Sequence, residues 1–167
     1  STLRYPDFRA EERTFQLVTQ LAGRSGRGER GGRVLIQTLA PEATPIAAAA
    51  RHDAPGFLGG ELERRRAFGY PPHSHLIAIE LTGSAEAPLA AASDRLAAAV
   101  GDRLGAGAEL LGPAPRFRRR NRFRRRILIK TLEPARDAGA VRAALDDREL
   151  VAGLGKGITL AVDVDPQ

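Results

Sequence analysis

Arg116-Phe117-Arg118-Arg119-Arg120-Asn121-Arg122-Phe123-Arg124-Arg125-Arg126-Ile127-Leu128-Ile129-Lys130-Thr131 is the stretch on which the fold turns. From Phe123 to Leu132 it reads as a strand, and in an extended chain side chains alternate between two faces. Arg122, Arg124, Arg126 and Lys130 then share one face, and Phe123, Arg125, Ile127 and Ile129 the other. Glu109 to Phe117 reads as the strand before it. Residues 119–121 supply the turn, because Asn tolerates positive φ. The result is a β-hairpin with cations crowding its tip.

Working outward, a strand (Leu76 to Thr82) and an Ala-rich helix (Pro88 to Leu104, anchored by Leu89, Leu96 and Val100) precede the hairpin. A helix (Ala135 to Leu150, anchored by Val141, Leu145 and Leu150) and a strand (Ile158 to Val164) follow it. In that last strand Leu160, Val162 and Val164 alternate with Ala161, Asp163 and Asp165, the pattern of one buried face. The order βαββαβ predicts an α+β domain over 73–167 of the split βαβ, or ferredoxin-like, kind. Such a domain has a four-stranded antiparallel sheet, two helices on one face, and the other face uncovered. Phe117 reads as core, and Phe123 as either core or a base-stacking ring.

Upstream of Tyr70-Pro71-Pro72 the rhythm changes. Ala10 to Ala22 predicts a helix with Phe15, Val18, Leu21 and Ala22 along one face and Glu11 and Glu12 where the helix dipole favours acids. Gly23 to Gly32 ends it. Arg33 to Leu39 fits a buried strand, Pro41 to His52 a helix, and Phe57 to Phe68 a second, charged helix after a break at Pro55-Gly56. One strand cannot make a sheet. Residues 1–55 are therefore expected to be the end of a Rossmann-like lobe, and 56–72 a helical linker.

The chain has 167 residues, 43% of them hydrophobic, enough to bury a core. It has no cysteine, which excludes disulfides and thiolate metal sites. No apolar run approaches the roughly 18 residues a membrane span needs, and Ser1 to Phe8 lacks a signal peptide's layout, so the expected setting is cytoplasmic, away from membranes. The net charge is +6, yet Arg116 to Arg126 alone holds eight arginines and no acid, so the remainder is slightly acidic. Charge concentrated in this way is the footprint of a surface for phosphates rather than of general solubility. His52, His73 and His75, and the pair Asp163 and Asp165, are read as loop and sheet-edge residues rather than metal ligands, because neither set has the ligands a metal would need beside it. Gly153-Leu154-Gly155-Lys156-Gly157 lacks the hydroxyl residue of a phosphate loop and reads as a turn.

Gln20-Leu21-Ala22-Gly23-Arg24-Ser25-Gly26-Arg27 resembles the Q-x-x-G-R-x-x-R motif of superfamily 2 helicases. Paired arginines there aim positive charge at a γ-phosphate. Around it stand Tyr5-Pro6-Asp7-Phe8-Arg9-Ala10, Glu12-Arg13-Thr14-Phe15-Gln16, Val34-Leu35-Ile36-Gln37-Thr38, Phe68-Gly69-Tyr70-Pro71-Pro72, Leu111-Gly112-Pro113-Ala114-Pro115 and Val162-Asp163-Val164-Asp165-Pro166. In this order and spacing they resemble the C-terminal third of the PriA family of primosomal replication-restart helicases.

The resemblance implies the tail end of a RecA-like helicase lobe followed by the ferredoxin-like domain. It implies a parent that is an ATP-dependent 3'-5' DNA helicase using ATP, magnesium and zinc, and that works in the nucleoid on abandoned forks. It also implies, as partners, forked or single-stranded DNA, single-stranded DNA-binding protein and other primosome proteins. Gln20, Arg24 and Arg27 would serve the nucleotide. Arg116, Arg118, Arg119, Arg120, Arg122, Phe123, Arg124, Arg126 and Lys130 would serve DNA. A phosphate loop, an acidic magnesium site and the zinc module are missing from this stretch, so no ATPase is expected of it alone and no catalytic residue is assigned. The alternative reading is a protein-interaction module that docks the helicase lobes and the acidic tail of single-stranded DNA-binding protein.

Overall fold

The computed structural model describes residues 8–25 and 33–166. The chain divides into two units, one running up to Phe68 and the other from Gly69 onward.

The first unit contains α1 (Ala10–Ser25), α2 (Thr44–Ala50) and α3 (Ala54–Ala67). Its core is small. Phe15 and Val18 of α1 bury against Ala48 and Ala49 of α2 and Phe57 of α3, with the Phe15 and Phe57 rings stacked 4.3 Å apart. Leu21, one turn further on, stays exposed. Pro55-Gly56 begins α3 rather than breaking the chain: Pro55 sits in the first turn, where a missing amide costs nothing, and the Asp53 carboxylate accepts from Gly56 N at 2.9 Å. The segment 56–72 is therefore mostly helix α3, which belongs to this unit.

A charged network holds α3 to α1. The buried Glu61 carboxylate accepts from Arg64 and, at 2.8 Å, from Arg65; the same arginines reach Glu11 and, at 2.6 Å, Glu12. Burial alone would lower the Arg65 pKa, but the hydrogen bonds to Glu61 and Glu12 outweigh it and raise the pKa above its ordinary value. Arg33 to Leu39, expected to be a buried strand, forms none, and Leu35 and Leu39 are 83% and 106% exposed. A strand needs a neighbour for its amides and carbonyls, and among the described residues none lies beside this one.

The second unit runs β1 (His75–Gly83), α4 (Glu86–Gly101), β2 (Glu109–Arg119), β3 (Arg122–Thr131), α5 (Pro134–Asp146), α6 (Arg148–Leu154), β4 (Thr159–Val164). Its sheet has the order β2-β3-β1-β4, with every neighbouring pair antiparallel. The mixed helix and strand class expected from the sequence is the one observed. Ile77, Ile79 and Leu81 of β1 and Ile127 and Ile129 of β3 meet Leu89, Leu96 and Val100 of α4 and Val141 of α5 in one core. Each such side chain, fully buried, contributes about 1.5–3 kcal/mol.

The helix expected over Ala135 to Leu150 is two helices. Asp147 leaves helical geometry at ψ 103°, and its carboxylate caps α6 by accepting from Glu149 N and Leu150 N, both at 3.1 Å. Asp137, in the first turn of α5, is buried. It accepts from the Thr131 hydroxyl and, at 3.0 Å, from Gly105 N, joining β3, α5 and the turn after α4.

The sheet face away from the helices is only half open. Leu76, Ala78 and Leu128 alternate with the helix-facing residues yet are buried, and Lys130 lies 4.5 Å from the Tyr70 ring. On β4 the expected burial of Val162 and Val164 does not occur, and they are 42% and 48% exposed. The strand pairs on one side only, while α4 and α5 lie over the other three strands.

Candidate nucleic-acid interface

The hairpin closes as its sequence demands. Arg119 pairs with Arg122, and between them Arg120 (φ 50°) and Asn121 (φ 58°) both adopt positive φ, the signature of a two-residue type I′ turn. Two irregularities interrupt β2, between Leu111 and Ala114 and between Arg116 and Arg119. The first is built on Gly112 at φ +98°, where a Cβ would lie 2.8 Å from the Arg126 carbonyl oxygen, so no other residue fits without a shift. The second resets the alternation of the strand. Arg116 faces Glu80, whereas Arg118, two residues on, faces Phe123.

The arginines divide by what already holds them. Arg124 donates to both carboxylate oxygens of Glu80 on β1 through Nε and Nη2, at 2.6–2.8 Å, and Arg116 and Arg126 lie 3.8 and 4.0 Å from the same carboxylate. Lys130 bonds Glu109 at 3.1 Å. Arg122 donates to the Gly157 carbonyl at 2.7 Å and so holds the turn before β4, while Arg125 donates to the Pro113 carbonyl at 3.0 Å. Arg118 covers the Phe123 ring, its guanidinium carbon 3.6 Å from the centroid. Arg119 and Arg120 are exposed at the turn and, like Arg118, have no carboxylate within ion-pair distance among the described residues.

The sequence-predicted residues are thus brought together on one hairpin but not on one face. Arg116, Arg124 and Arg126 gather round Glu80, and Arg122 is a structural tie. Phe123 packs against the core under Arg118. Phe117, expected in the core, is 75% exposed, because β2 is an edge strand and its second bulge turns the ring outward. Glu80 was not foreseen. Its signal was an acid in the otherwise apolar run Leu76-Ile77-Ala78-Ile79-Glu80-Leu81, in register with Arg126.

In the first unit Gln20 and Arg24 are exposed near the end of α1, and Arg27 lies outside the described residues. No group of three or more His, Asp or Glu able to hold a metal occurs among the described residues. His75 Nδ1 instead lies 3.0 Å from Asp165 Oδ2, and Asp165 Oδ1 accepts from Leu76 N at 3.1 Å, tying the end of β4 to the start of β1. No helix among the described residues is long and apolar enough to cross a membrane.

Residues 66–167 match the family model described as the primosomal protein N C-terminal domain. The chain belongs to the PriA C-terminal domain family. It is similar to proteins named replication restart protein PriA: 32% identical to that of Bacillus subtilis over 99% of this chain and 21% of the relative. The corresponding protein of Chlamydia muridarum is 36% identical over 99% of this chain and 22% of the relative. That of Thermotoga maritima is 36% identical over 96% of this chain and 20% of its own length. The chain thus spans about a fifth of the length of the curated relatives it matches. The Leu111-Gly112-Pro113-Ala114-Pro115 stretch falls inside the PriA C-terminal match and coincides with the first bulge of β2.

Proposed function

We propose that this chain is the C-terminal part of a replication-restart protein and that its arginine hairpin binds the phosphate backbone of branched or single-stranded DNA. The observation that carries this reading is the state of Arg119 and Arg120, exposed at the hairpin tip, whose guanidinium groups have no carboxylate partner among the described residues. A phosphate gains a charge-assisted bond from such a group without first breaking one. Below the tip, Arg116, Arg124 and Arg126 gather round Glu80 on one side of the hairpin, along the line a phosphate backbone following the strand would take. With about five phosphates neutralised, log K against log salt should slope at roughly −4 to −5 on duplex DNA and less steeply on single strands.

The helicase activity of the parent belongs to the same proposal. Gln20, Arg24 and Arg27 would aim charge at ATP and its magnesium only beside phosphate-binding residues that this stretch does not hold, and zinc would belong to the same distant parts.

Binding of labelled forked, duplex and single-stranded DNA, followed by anisotropy at two salt concentrations, tests the reading. Substituting Arg119→Ala and Arg120→Ala together should weaken binding and reduce the slope by about two, with the circular dichroism spectrum unchanged. An unchanged slope would remove the tip from the interface. Replacing Arg122, Arg124 and Arg126 is the poorer test, since Arg122 and Arg124 also hold the fold.

A protein-docking role is the second reading, with the helicase lobes or single-stranded DNA-binding protein as partner. The half-exposed Val162 and Val164 on the β4 edge favour it. Asp163 and Asp165 on the same edge argue against an acidic tail binding there and for a neutral or basic surface.

A further inference from the structure

Beside the hairpin, at the start of α4, lies a cavity of about 180 Å³ lined by Glu86, Leu89, Pro115, Phe123 and four arginines, Arg118 and Arg125 among them. A cavity on the order of 150 Å³ accepts a benzene ring, so this one has room for a single aromatic ring system. We infer that it receives one unpaired nucleobase of a bound single strand, stacked on the guanidinium of Arg118. This rests on the nucleic-acid reading above and adds to it a site that reads bases.

Three features of the wall decide for a base. The Arg118 guanidinium carbon is only 3.6 Å from the Phe123 centroid, a distance reached only when the group lies nearly parallel to the ring. Its outer side is then a flat cationic platform, held in place from behind, of the kind on which unstacked bases lie. Arg125, which also lines the cavity, gives one nitrogen to the Pro113 carbonyl at 3.0 Å, and its guanidinium has further N–H groups with which to meet a base carbonyl or ring nitrogen. Glu86 adds an acceptor for an exocyclic amino group. A stacking plane, a donor and an acceptor around a slot one ring in size complement the edge of a base, and the phosphates on either side fall to Arg119 and Arg120.

The experiment compares intact and fully abasic single strands of equal length and charge, bound to the whole chain, in wild type and in Arg118→Lys, which keeps the charge and loses the plane. Wild type should bind the intact strand roughly ten-fold more tightly than the abasic one. Arg118→Lys should bring the intact strand close to the abasic affinity while leaving abasic binding and the salt slope unchanged. Equal wild-type affinity for the two strands overturns the base site and leaves phosphate binding standing. An equal loss on both strands in Arg118→Lys also overturns it, because the arginine then acts only through charge. If wild type binds neither strand at low salt, the nucleic-acid reading itself fails, and the base site with it. Arg118 lies on the exposed end of the hairpin, and circular dichroism confirms that the variant is folded.

Discussion

Replacing Glu80 with glutamine should make the protein less stable and a better ligand for DNA. The Glu80 carboxylate accepts from Arg124 at 2.6–2.8 Å, and the two side chains are only 20% and 22% exposed. A charge-assisted pair of this kind is worth about 1.5–3 kcal/mol, discounted for partial solvent screening. Arg116 at 3.8 Å and Arg126 at 4.0 Å add about 1 kcal/mol each in a water-like dielectric, and without the carboxylate they repel Arg124 and one another. Glutamine keeps the shape and one acceptor, so the net cost should be about 2 kcal/mol. For a unit of this size that lowers the melting temperature by roughly 8–15 °C. If the hairpin binds DNA as proposed, a negative charge has also left the row that faces the phosphates, so affinity at low salt should rise about five- to ten-fold and the salt slope should steepen by about one. Thermal denaturation and a salt series of anisotropy titrations measure the two effects on one sample. Lower stability with unchanged affinity and slope would show that the face carrying Arg116, Arg124 and Arg126 does not meet the nucleic acid. Unchanged stability would refute the arrangement around Glu80.

Two further substitutions test the frame that holds the hairpin. Gly112→Ala should cost on the order of 1–3 kcal/mol in chemical denaturation, because the position combines φ +98° with a backbone oxygen 2.8 Å from any Cβ; a neutral result would mean that the bulge is not formed. Asp137→Ala should cost about 2–3 kcal/mol, since the Thr131 hydroxyl and Gly105 N would lose their acceptor in the interior. Asp137→Asn, which restores one acceptor, should recover part of that loss, and an equal loss in both variants would show that the charge rather than the hydrogen bonds matters.

Strands β1 and β3 of the second unit were legible because each carries its own burial pattern. Ile77, Ile79 and Leu81, and Ile127 and Ile129, step by two, and only an extended chain puts them on one side. The helices α1 and α4 were legible for the analogous reason, through Phe15 with Val18 and Leu89 with Leu96 and Val100. What escaped reading depends on partners remote in sequence. Asp147 divides a helix by capping the next one, and an aspartate inside an otherwise helical pattern carries no mark of that choice. Asp137 in a first turn reads as a complement to the helix dipole, and its burial is decided by Thr131 and Gly105. Arg33 to Leu39 has a strand's composition, but composition cannot supply a neighbouring strand. Within the candidate site the cluster of arginines was plain from the sequence, whereas their division into held and unpaired groups was not. That division is made by Glu80, by the Gly157 carbonyl and by a bulge that moves Arg118 to the opposite face from Arg116.

The irregular course of β2 also bears on whether another strand can extend the sheet at that edge. A four-stranded open sheet offers two edges, and here one is basic and the other carries Asp163 and Asp165, a combination that invites head-to-tail stacking into fibres. The β2 edge cannot complete such a ladder: Pro113 and Pro115 have no amide hydrogen to offer, and two breaks in register keep the strand from lying straight against a regular partner. An edge so interrupted is a poor template for another sheet, so the dense row of arginines sits on a strand that offers no regular ladder for a second copy to extend.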